Sequence, residues 1–491
     1  MCLHTIKKVV RDSVSPKTGN TDNLEAVMRN LSPCSFVLSS AILVLVLPVA
    51  VPCAAQGTDV ARMRQIVESY VANHKFMGAV LVAQGDKVLL DKGYGYADLE
   101  WQIPDSPDTK FRLGSITKQF TAAAILLLEQ RGKLSTDDPV KKYIPDAPPA
   151  WDKITIYNLL THTSGIPNFT SFPDYGLSEA KPATPEQLVN RFRDKPLDFA
   201  PGEKWSYSNS GYVLLGYLIE RITGEYYQTF LEENLFKPLG MNDTGYDSNL
   251  LIIPHRAVGY VETGMLMHAG YIDMTIPFSA GGLYSTTHDL LRWNQALYGG
   301  KVLSSAELKK MTTPYKDKNN YACGLWVRTD HGHTVFEHAG GIEGFNTSMD
   351  YYPDEKLTVI ALGNVNGNAP DNLVAELSAV AHGEKVVLAS ERKEITVAPE
   401  ILAGYVGTYQ FEPASGITIS LVDNHLSAQG TGMPAMRLFA ESPRLFFIKD
   451  IDAQIEFFTN DKGQVTYLVL RQPGRDNKAV KQPSQNGPNS L

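Results

Sequence analysis

At 491 residues, 43% hydrophobic and 20% charged, the chain suits a soluble globular protein and is too long for one ordinary domain, so two or three folded units are expected. Its formal charge of −8 is mixed along the chain without a long basic run, which leaves neither nucleic acid nor an anionic membrane surface as an obvious partner.

The first recognisable element is "FVLSSAILVLVLPVAVPCAAQG". Its apolar run over residues 36–52 closes in small residues and reads as a secretory signal peptide. Signal peptides begin shortly before their apolar run. Met28, followed by Arg29, stands at the usual distance, so residues 1–27 are expected to precede the true start. Cleavage is expected after Ala55, leaving an exported protein without a stable membrane span. Pro48 and Pro52 weigh against a retained anchor helix, and Pro52 weighs against a lipid-modified Cys53. Of Cys2, Cys34, Cys53 and Cys323 only the last would survive, which rules out a disulfide framework. The mature chain would carry 40 basic and 50 acidic side chains, a net −10.

Next, "MGAVLVAQGDKVLLDKGYGYAD" holds two β-rich runs around Gly85-Asp86, a two-residue turn suited to a hairpin. The stretch "FRLGSITKQFTAAAILLLEQRGKL" predicts an apolar helix that opens at Ser115 and stops at Gly132. Residues 135–312 are helical and loop-rich in texture, with few strands. Strand texture returns in "YACGLWVRTDHGHTVFEHAGG", where Cys323 is expected to be a small packed strand residue, and in "GFNTSMDYYPDEKLTVIALGN", with a turn at 353–356. The helix "PDNLVAELSAVAHG" closes the unit. A hairpin at one end and a meander at the other predict an α/β (α+β) fold over 56–385. Its mixed antiparallel sheet would be assembled from both ends, flanked by helices and interrupted by a large helical insert. A charged linker, 386–399, leads to short alternating runs over 400–480 that predict an all-β barrel or sandwich, and 481–491 is a polar tail expected to be disordered.

Three places carry candidate chemistry. Ser115 and Lys118 lie one turn apart at the head of the apolar helix, where the lysine can polarise the serine as a cation or act as its base after losing a proton. Ser-x-x-Lys also occurs at Ser178 to Lys181 and Ser390 to Lys393, but neither copy heads a long apolar helix. Tyr207-Ser208-Asn209, the single Tyr-x-Asn of the chain, precedes another apolar helix. A nearby lysine would favour the phenolate of Tyr207 and make it a proton shuttle, and the Asn209 amide can hold a substrate carbonyl. His338-Ala339-Gly340 follows a strand whose glycine edge could admit a peptide-like substrate. His331, His333 and His338 straddle a "DHGH" turn without clear ligand spacing or a placed carboxylate, so no metal is expected. His268-Ala269-Gly270, in the insert, is expected to be structural; His162 could belong to the cleft wall, with a satisfied turn histidine the commoner case. Gly-x-Ser-x-Gly is absent, which argues against an α/β-hydrolase.

With "LLTHTSGIPNF" at Leu159 and "SAGGLYSTTHDLLRW" at Ser279, these motifs resemble, in order and over residues 60–385, the penicillin-recognising serine hydrolases. That group contains class C β-lactamases, D-Ala-D-Ala carboxypeptidases, D-aminopeptidases and esterases. The tail from about residue 400 resembles the lipocalin-like barrel appended to some of them. The resemblance implies a β-lactamase/transpeptidase-like fold and a bacterial, secreted or periplasmic protein. It implies Ser115 as acylated nucleophile, Lys118 as its activator, Tyr207 as proton carrier and Asn209 as holder of the substrate amide. His338 and Gly340 would line the substrate strand, and the N–H groups of Ser115 and Gly341 would form the oxyanion hole, with no cofactor and no metal. The departure is His338 in place of the Lys that β-lactamases of the group carry, which should weaken recognition of a substrate carboxylate. The expected function is an acyl-enzyme hydrolase of amides or esters, acting on D-amino-acid peptides, including cell-wall peptide, or on small esters. The alternatives are a β-lactamase and a non-catalytic cell-wall-binding protein of the same fold. Oligomeric state is left open by the sequence.

Overall fold

The computed structural model of the protein describes residues 54–483 apart from 317–318, 413–414, 450–452 and 474. The leader expected before Ala54, with Met28 and the apolar run, lies outside the described residues, as does the end of the polar tail. The cleavage site expected after Ala55 falls in the first turn of helix α1 (Ala54–Ala72).

Gly85-Asp86 makes the expected turn between β1 (Gly78–Gln84) and β2 (Lys87–Tyr94). The returning strands are β3 (Trp326–Asp330), β4 (His333–Ile342), β5 (Phe345–Tyr352) and β6 (Leu357–Gly363), and the turn at 353–356 joins the last two as expected. They form one six-stranded sheet in the order β3-β4-β5-β6-β1-β2, so both ends of the domain do meet in it. Every neighbouring pair is antiparallel, as expected. All neighbours but one are joined by short turns, which permit only antiparallel pairing, and the remaining pair, β6 with β1, runs antiparallel as well.

β1 and β6 are buried on both faces because their apolar runs are unbroken. The two-residue period sends Ala79, Leu81, Ile360 and Leu362 into the larger core, shared with the helical insert. Their neighbours Val80, Val82, Val359 and Ala361 enter a second core under α1. Leu373 and Leu377 of a closing helix, Ala369–Ala381, belong to that same core. Each of the larger side chains gains about 1.5–3 kcal/mol from this burial. Helix α2 (Thr117–Gln130) runs through the larger core with residues 117–128 buried on every side, as its "AAAILLL" body requires, and Gly132 lies just past its end. Helix α3 (Asn209–Thr223) packs beside it with Leu214, Leu215 and Leu218 buried.

The insert holds more β structure than expected. Short strands at Phe111–Arg112, Gly245–Tyr246 and Leu283–Ser285 form one small sheet, and Tyr260–Glu262 pairs with Leu266–His268. At two or three residues each, such strands leave no alternation to read. The strand expected from Tyr321 begins only at Trp326, because Gly324 takes φ +78° and breaks the extended run. Cys323 is fully buried in that turn, where burial raises its thiol well above the ordinary range; it is a packed residue, though not a strand one.

Helix α4 (Ala369–Ala381) is the closing helix of the domain. After it, Arg62 of α1 pairs with Glu391 at 2.5 Å. Beyond residue 406 comes one nine-stranded antiparallel sheet. Its two edge strands, Ala435–Arg437 and Phe439–Ala440, are consecutive in sequence and separated only by Leu438, so the sheet curls into a nearly closed barrel. Tyr409, Ile419, Ile455, Phe457 and Leu468 fill its interior.

Candidate active site

Two glycines place the candidate nucleophile. Gly114 has φ +51°, and a Cβ there would lie 2.8 Å from the Gly341 nitrogen; a Cβ on Gly340 would lie 1.9 Å from the Leu113 carbonyl oxygen. Only glycine permits this approach, so the turn carrying Ser115 lies directly against β4. Thr347 of β5 secures it by donating to the Leu113 carbonyl at 2.8 Å. The left-handed Gly114 cannot belong to an α-helix, and the structure therefore differs from the helix expected at Ser115. Gly114–Ile116 forms a 3₁₀ turn that feeds α2 at Thr117. Beyond Glu337, which pairs with Trp326, β4 pairs with β5 alone, so residues 338–342 form an open edge beside the turn.

Lys118 still comes round to Ser115. Its amine is wholly buried, 2.9 Å from Ser115 Oγ, 2.9 Å from Asn209 Oδ1 and 2.7 Å from the carbonyl oxygen of Ala280. Burial holds its pKa well below the usual lysine range, with no carboxylate beside it to offset the loss of water. Two of its three neighbours are carbonyls that can only accept. A neutral amine has two N–H groups for those two oxygens, and its lone pair is then directed at the Ser115 hydroxyl. The geometry is that of a general base hydrogen-bonded to its nucleophile.

Tyr207 and Asn209 reach the same point from the entrance of α3. The "LLTHTSGIPNF" segment cradles them: Ser208 N–H donates to His162 Nδ1 at 3.2 Å, Ser208 Oγ donates to the Ile166 carbonyl at 3.0 Å, and Asn209 N–H donates to Asn168 Oδ1 at 3.0 Å. The Tyr207 hydroxyl donates to Ser115 Oγ at 2.8 Å, and the Lys118 amine sits 4.8 Å from the centre of its ring. The phenolate expected from that cation is not favoured in the free site. Burial raises the Tyr207 pKa, and the hydrogen bond to Ser115 offsets this only in part. Tyr207 is thus a protonated donor at neutral pH. The Asn209 amide is engaged at both ends, its Nδ2 donating to Thr170 Oγ1 at 3.1 Å, so in the free site it fixes Lys118 rather than standing open for a substrate.

His338, expected to line the substrate strand, is a buried residue of that strand. Its ring is buried, Nδ1 donates to the Ala339 carbonyl at 2.6 Å, and Nε2 faces the Tyr321 hydroxyl at 3.0 Å. Since a carbonyl can only accept, the proton sits on Nδ1 and Nε2 accepts from Tyr321. Burial, aided by the nearby Lys118, lowers its pKa to about 3. This histidine is neutral and fully engaged, and offers nothing to a substrate carboxylate. On β4 it is Ala339 and Gly341 that are exposed, whereas His338 and Gly340 are buried.

Tyr321 and Trp205 carry no sequence signal, whereas His162 takes the cleft-wall place that the sequence offered as an alternative. Tyr321, His162 and Trp205 form an aromatic wall behind Tyr207, with the His162 ring 4.4 Å from that of Tyr207 and 4.6 Å from that of Tyr321. The Ala280 carbonyl could be supplied by any residue; only its place in "SAGGLYS" marks it. The other Ser-x-x-Lys copies stand apart from the site. Ser178 donates to the Tyr175 carbonyl and accepts from Arg191, and Ser390 lies in the 3₁₀ turn Ala389–Glu391. His268 ends a short strand and pairs with Glu100 at 2.9 Å on the surface.

A family model described as "Beta-lactamase" matches residues 63–383, and one described as "Domain of unknown function (DUF3471)" matches residues 391–483. Penicillin-binding protein 4* of Bacillus subtilis (strain 168) is 29% identical over 446 residues, spanning 85% of this chain and 98% of that protein. Among solved structures, the octameric penicillin-binding protein homologue from Pyrococcus abyssi superposes with a TM-score of 0.63 at 25% identity, covering 86% of this chain and 100% of that one. A D-stereospecific amidohydrolase from Streptomyces sp. gives a TM-score of 0.58 at 28% identity, covering 66% and 99%.

Proposed function

The chain belongs to the β-lactamase family of serine hydrolases, and on that premise we propose that it cleaves an amide or ester bond through an acyl-enzyme on Ser115. The observation that carries this reading is the Lys118 amine, buried without a carboxylate and held by two carbonyls so that its third neighbour is Ser115 Oγ. Lys118 takes the Ser115 proton as Oγ attacks the carbonyl carbon. The oxyanion forms against the N–H groups of Ser115 and Gly341, a pairing supported by the close approach of Gly114 to Gly341. Tyr207 hands its proton to the departing amine or alcohol and regains one from the Lys118 ammonium. Lys118, acting through Tyr207, then takes a proton from an attacking water and returns it to Ser115 Oγ as the acyl–Oγ bond breaks, which releases the acid and restores the free site.

The substrate class proposed is a peptide or amide of a D-amino acid, or a small ester. The open edge at residues 338–342 suits an extended peptide-like substrate, and a neutral, engaged His338 disfavours selection of a carboxylate there. That ranks β-lactam hydrolysis second. We further propose an exported protein cleaved near Ala55, with the hydrolase domain over 56–385 and the barrel over 400–480; no helix among the described residues is long and apolar enough to cross a membrane.

Intact-mass spectrometry after exposure to penicillin or a fluorophosphonate tests the proposal. One covalent adduct per chain is expected, absent in Ser115→Ala. No adduct with either probe, together with no hydrolysis of p-nitrophenyl acetate, would favour a non-catalytic binding protein. Rapid turnover of nitrocefin would instead promote the β-lactamase. Sequencing the amino terminus of the secreted protein tests the export proposal, which a start upstream of residue 36 would overturn.

A further inference from the structure

At the end of β4 away from Gly340, the fold assembles groups that the sequence keeps apart. His333 opens the strand, Glu355 lies in the turn between β5 and β6, and His382 follows the closing helix. His333 Nε2 is 3.8 Å from Glu355 Oε1, and His382 Nε2 is 3.0 Å from Glu355 Oε2. One ligand atom from each of the three lies within 4.8 Å of the others. The "DHGH" turn thus contributes one ligand, and the carboxylate that was missing in sequence arrives from a turn 22 positions further on.

The second observation is the state of His382. Its side chain is only 5% exposed, yet neither ring nitrogen has a hydrogen-bond partner. The 3.0 Å approach to Glu355 is a contact without hydrogen-bond alignment. A buried imidazole is ordinarily paired, so this one calls for an explanation. A tetrahedral zinc ion holds nitrogen and oxygen ligands at about 2.0–2.2 Å, which places neighbouring ligands about 3.4 Å apart. The observed 3.0 and 3.8 Å, to the two different oxygens of Glu355, lie on either side of that spacing, and a set of one ligand atom per residue spans no more than 4.8 Å.

We propose that His333, Glu355 and His382 bind a divalent transition-metal ion of the zinc class, with the fourth position open to water. Two imidazoles and one carboxylate suit zinc and its neighbours and do not suit calcium or magnesium, which take oxygen ligands. His331 stands outside the set. Its Nδ1 contacts Glu384 at 2.8 Å and its Nε2 lies 3.2 Å from Asp330, and its ring lies 5.1 Å from that of His382. The ion would tie the start of β4, the β5–β6 turn and the end of the closing helix together, just before the chain leaves for the barrel. Its role is to stabilise, separately from Ser115.

The full chain, freed of any affinity tag and stripped of metal with EDTA, is titrated with zinc chloride by calorimetry and followed by thermal unfolding. One zinc per chain and a Tm that climbs with zinc concentration are expected. Glu355→Gln and His382→Asn should each weaken binding by more than the 10–100-fold that loss of an outer partner costs, while Glu355→Gln leaves p-nitrophenyl acetate hydrolysis unchanged. Should His382→Asn fail to fold, Glu355→Gln, at a partly exposed turn, carries the test. Absence of saturable 1:1 binding, a Tm indifferent to zinc, or affinity that survives Glu355→Gln would overturn the proposal in favour of a plain histidine–carboxylate contact.

Discussion

Asn209→Asp is the sharpest probe of the proposed base. The change keeps the shape of the side chain, and Thr170 Oγ1, which now accepts from Nδ2, can rotate to donate to a carboxylate oxygen. It puts a negative charge 2.9 Å from Lys118 Nζ, where only a neutral carbonyl stood. At that distance and an effective dielectric constant near 20, the attraction is about 6 kcal/mol. Desolvation of the new carboxylate removes part of it, and a buried opposite charge typically displaces a titration by about one to three pH units. The sign follows from the role. Burial lowers the Lys118 pKa, so the base is neutral and competent above a point well below the ordinary lysine range, and the aspartate holds the ammonium form to higher pH. The rising limb of kcat/KM, which reports the free enzyme, should therefore move up by about one to three pH units. On that limb the variant should lose about 10- to 1000-fold, while at its alkaline plateau it recovers to within about tenfold of the parent. The assay is a pH series on a D-amino-acid p-nitroanilide. An equal loss at every pH with the limb in place would show that Lys118 does not titrate in the reaction, and the proposed mechanism would fall.

Three further outcomes are expected. Tyr207→Phe should lower kcat by about 10²–10⁴-fold and keep the rising limb, since the limb belongs to Lys118; disappearance of the limb would make Tyr207 the base. Gly340→Ala would set a Cβ 1.9 Å from the Leu113 carbonyl oxygen, so the nucleophile turn and the strand must part. A loss of about 1–3 kcal/mol in stability and at least about 100-fold in the rate of penicillin adduct formation are expected. Gly341→Ala, whose nearest neighbour would be Asn346 Nδ2 at 3.3 Å, is the control for stability. His338 sets an acid limit: its folded pKa of about 3 lies below the ordinary 6.5, so within that window the unfolded chain binds a proton that the folded chain refuses. Stability should fall as pH drops through the window, by up to about 5 kcal/mol, and His338→Gln should move the acid-unfolding midpoint to lower pH; an unchanged midpoint would refute the assignment.

What could be read from the sequence, and what could not, follows one physical division. The Gly85-Asp86 hairpin, the β5–β6 turn and the apolar body of α2 are local, and local pattern sufficed. Ser115, Lys118, Tyr207 and Asn209 could be picked out as candidates because their side-chain types suit the proposed chemistry, and the structure brings all four within hydrogen-bond reach. The Ala280 carbonyl was not legible, because a main-chain oxygen leaves no mark on residue type. The strand expected at Tyr321 failed because alternation cannot report a glycine in a left-handed turn. Protonation was the larger gap. From sequence, Lys118 could be a fixed cation or a base, and Tyr207 could be a phenolate; the choice depends on burial and on what surrounds the amine, neither of which is a property of the motif.

That same dependence gives His338 its meaning. A lysine at this position would bring a second ammonium into a buried pocket already containing Lys118, and each cation would disfavour the charged form of the other. The histidine avoids the conflict by being neutral, with its Nδ1 proton spent on Ala339 and its Nε2 facing Tyr321. Lys118 is then the one amine at Ser115, free to shed its proton, and the strand edge at 338–342 is left without a cation from this residue. On the proposed function, such a site would select its substrate by backbone contact along β4 and by the shape of the insert rather than by a carboxylate. That is the ground for proposing amides and esters of D-amino acids ahead of β-lactams as substrates.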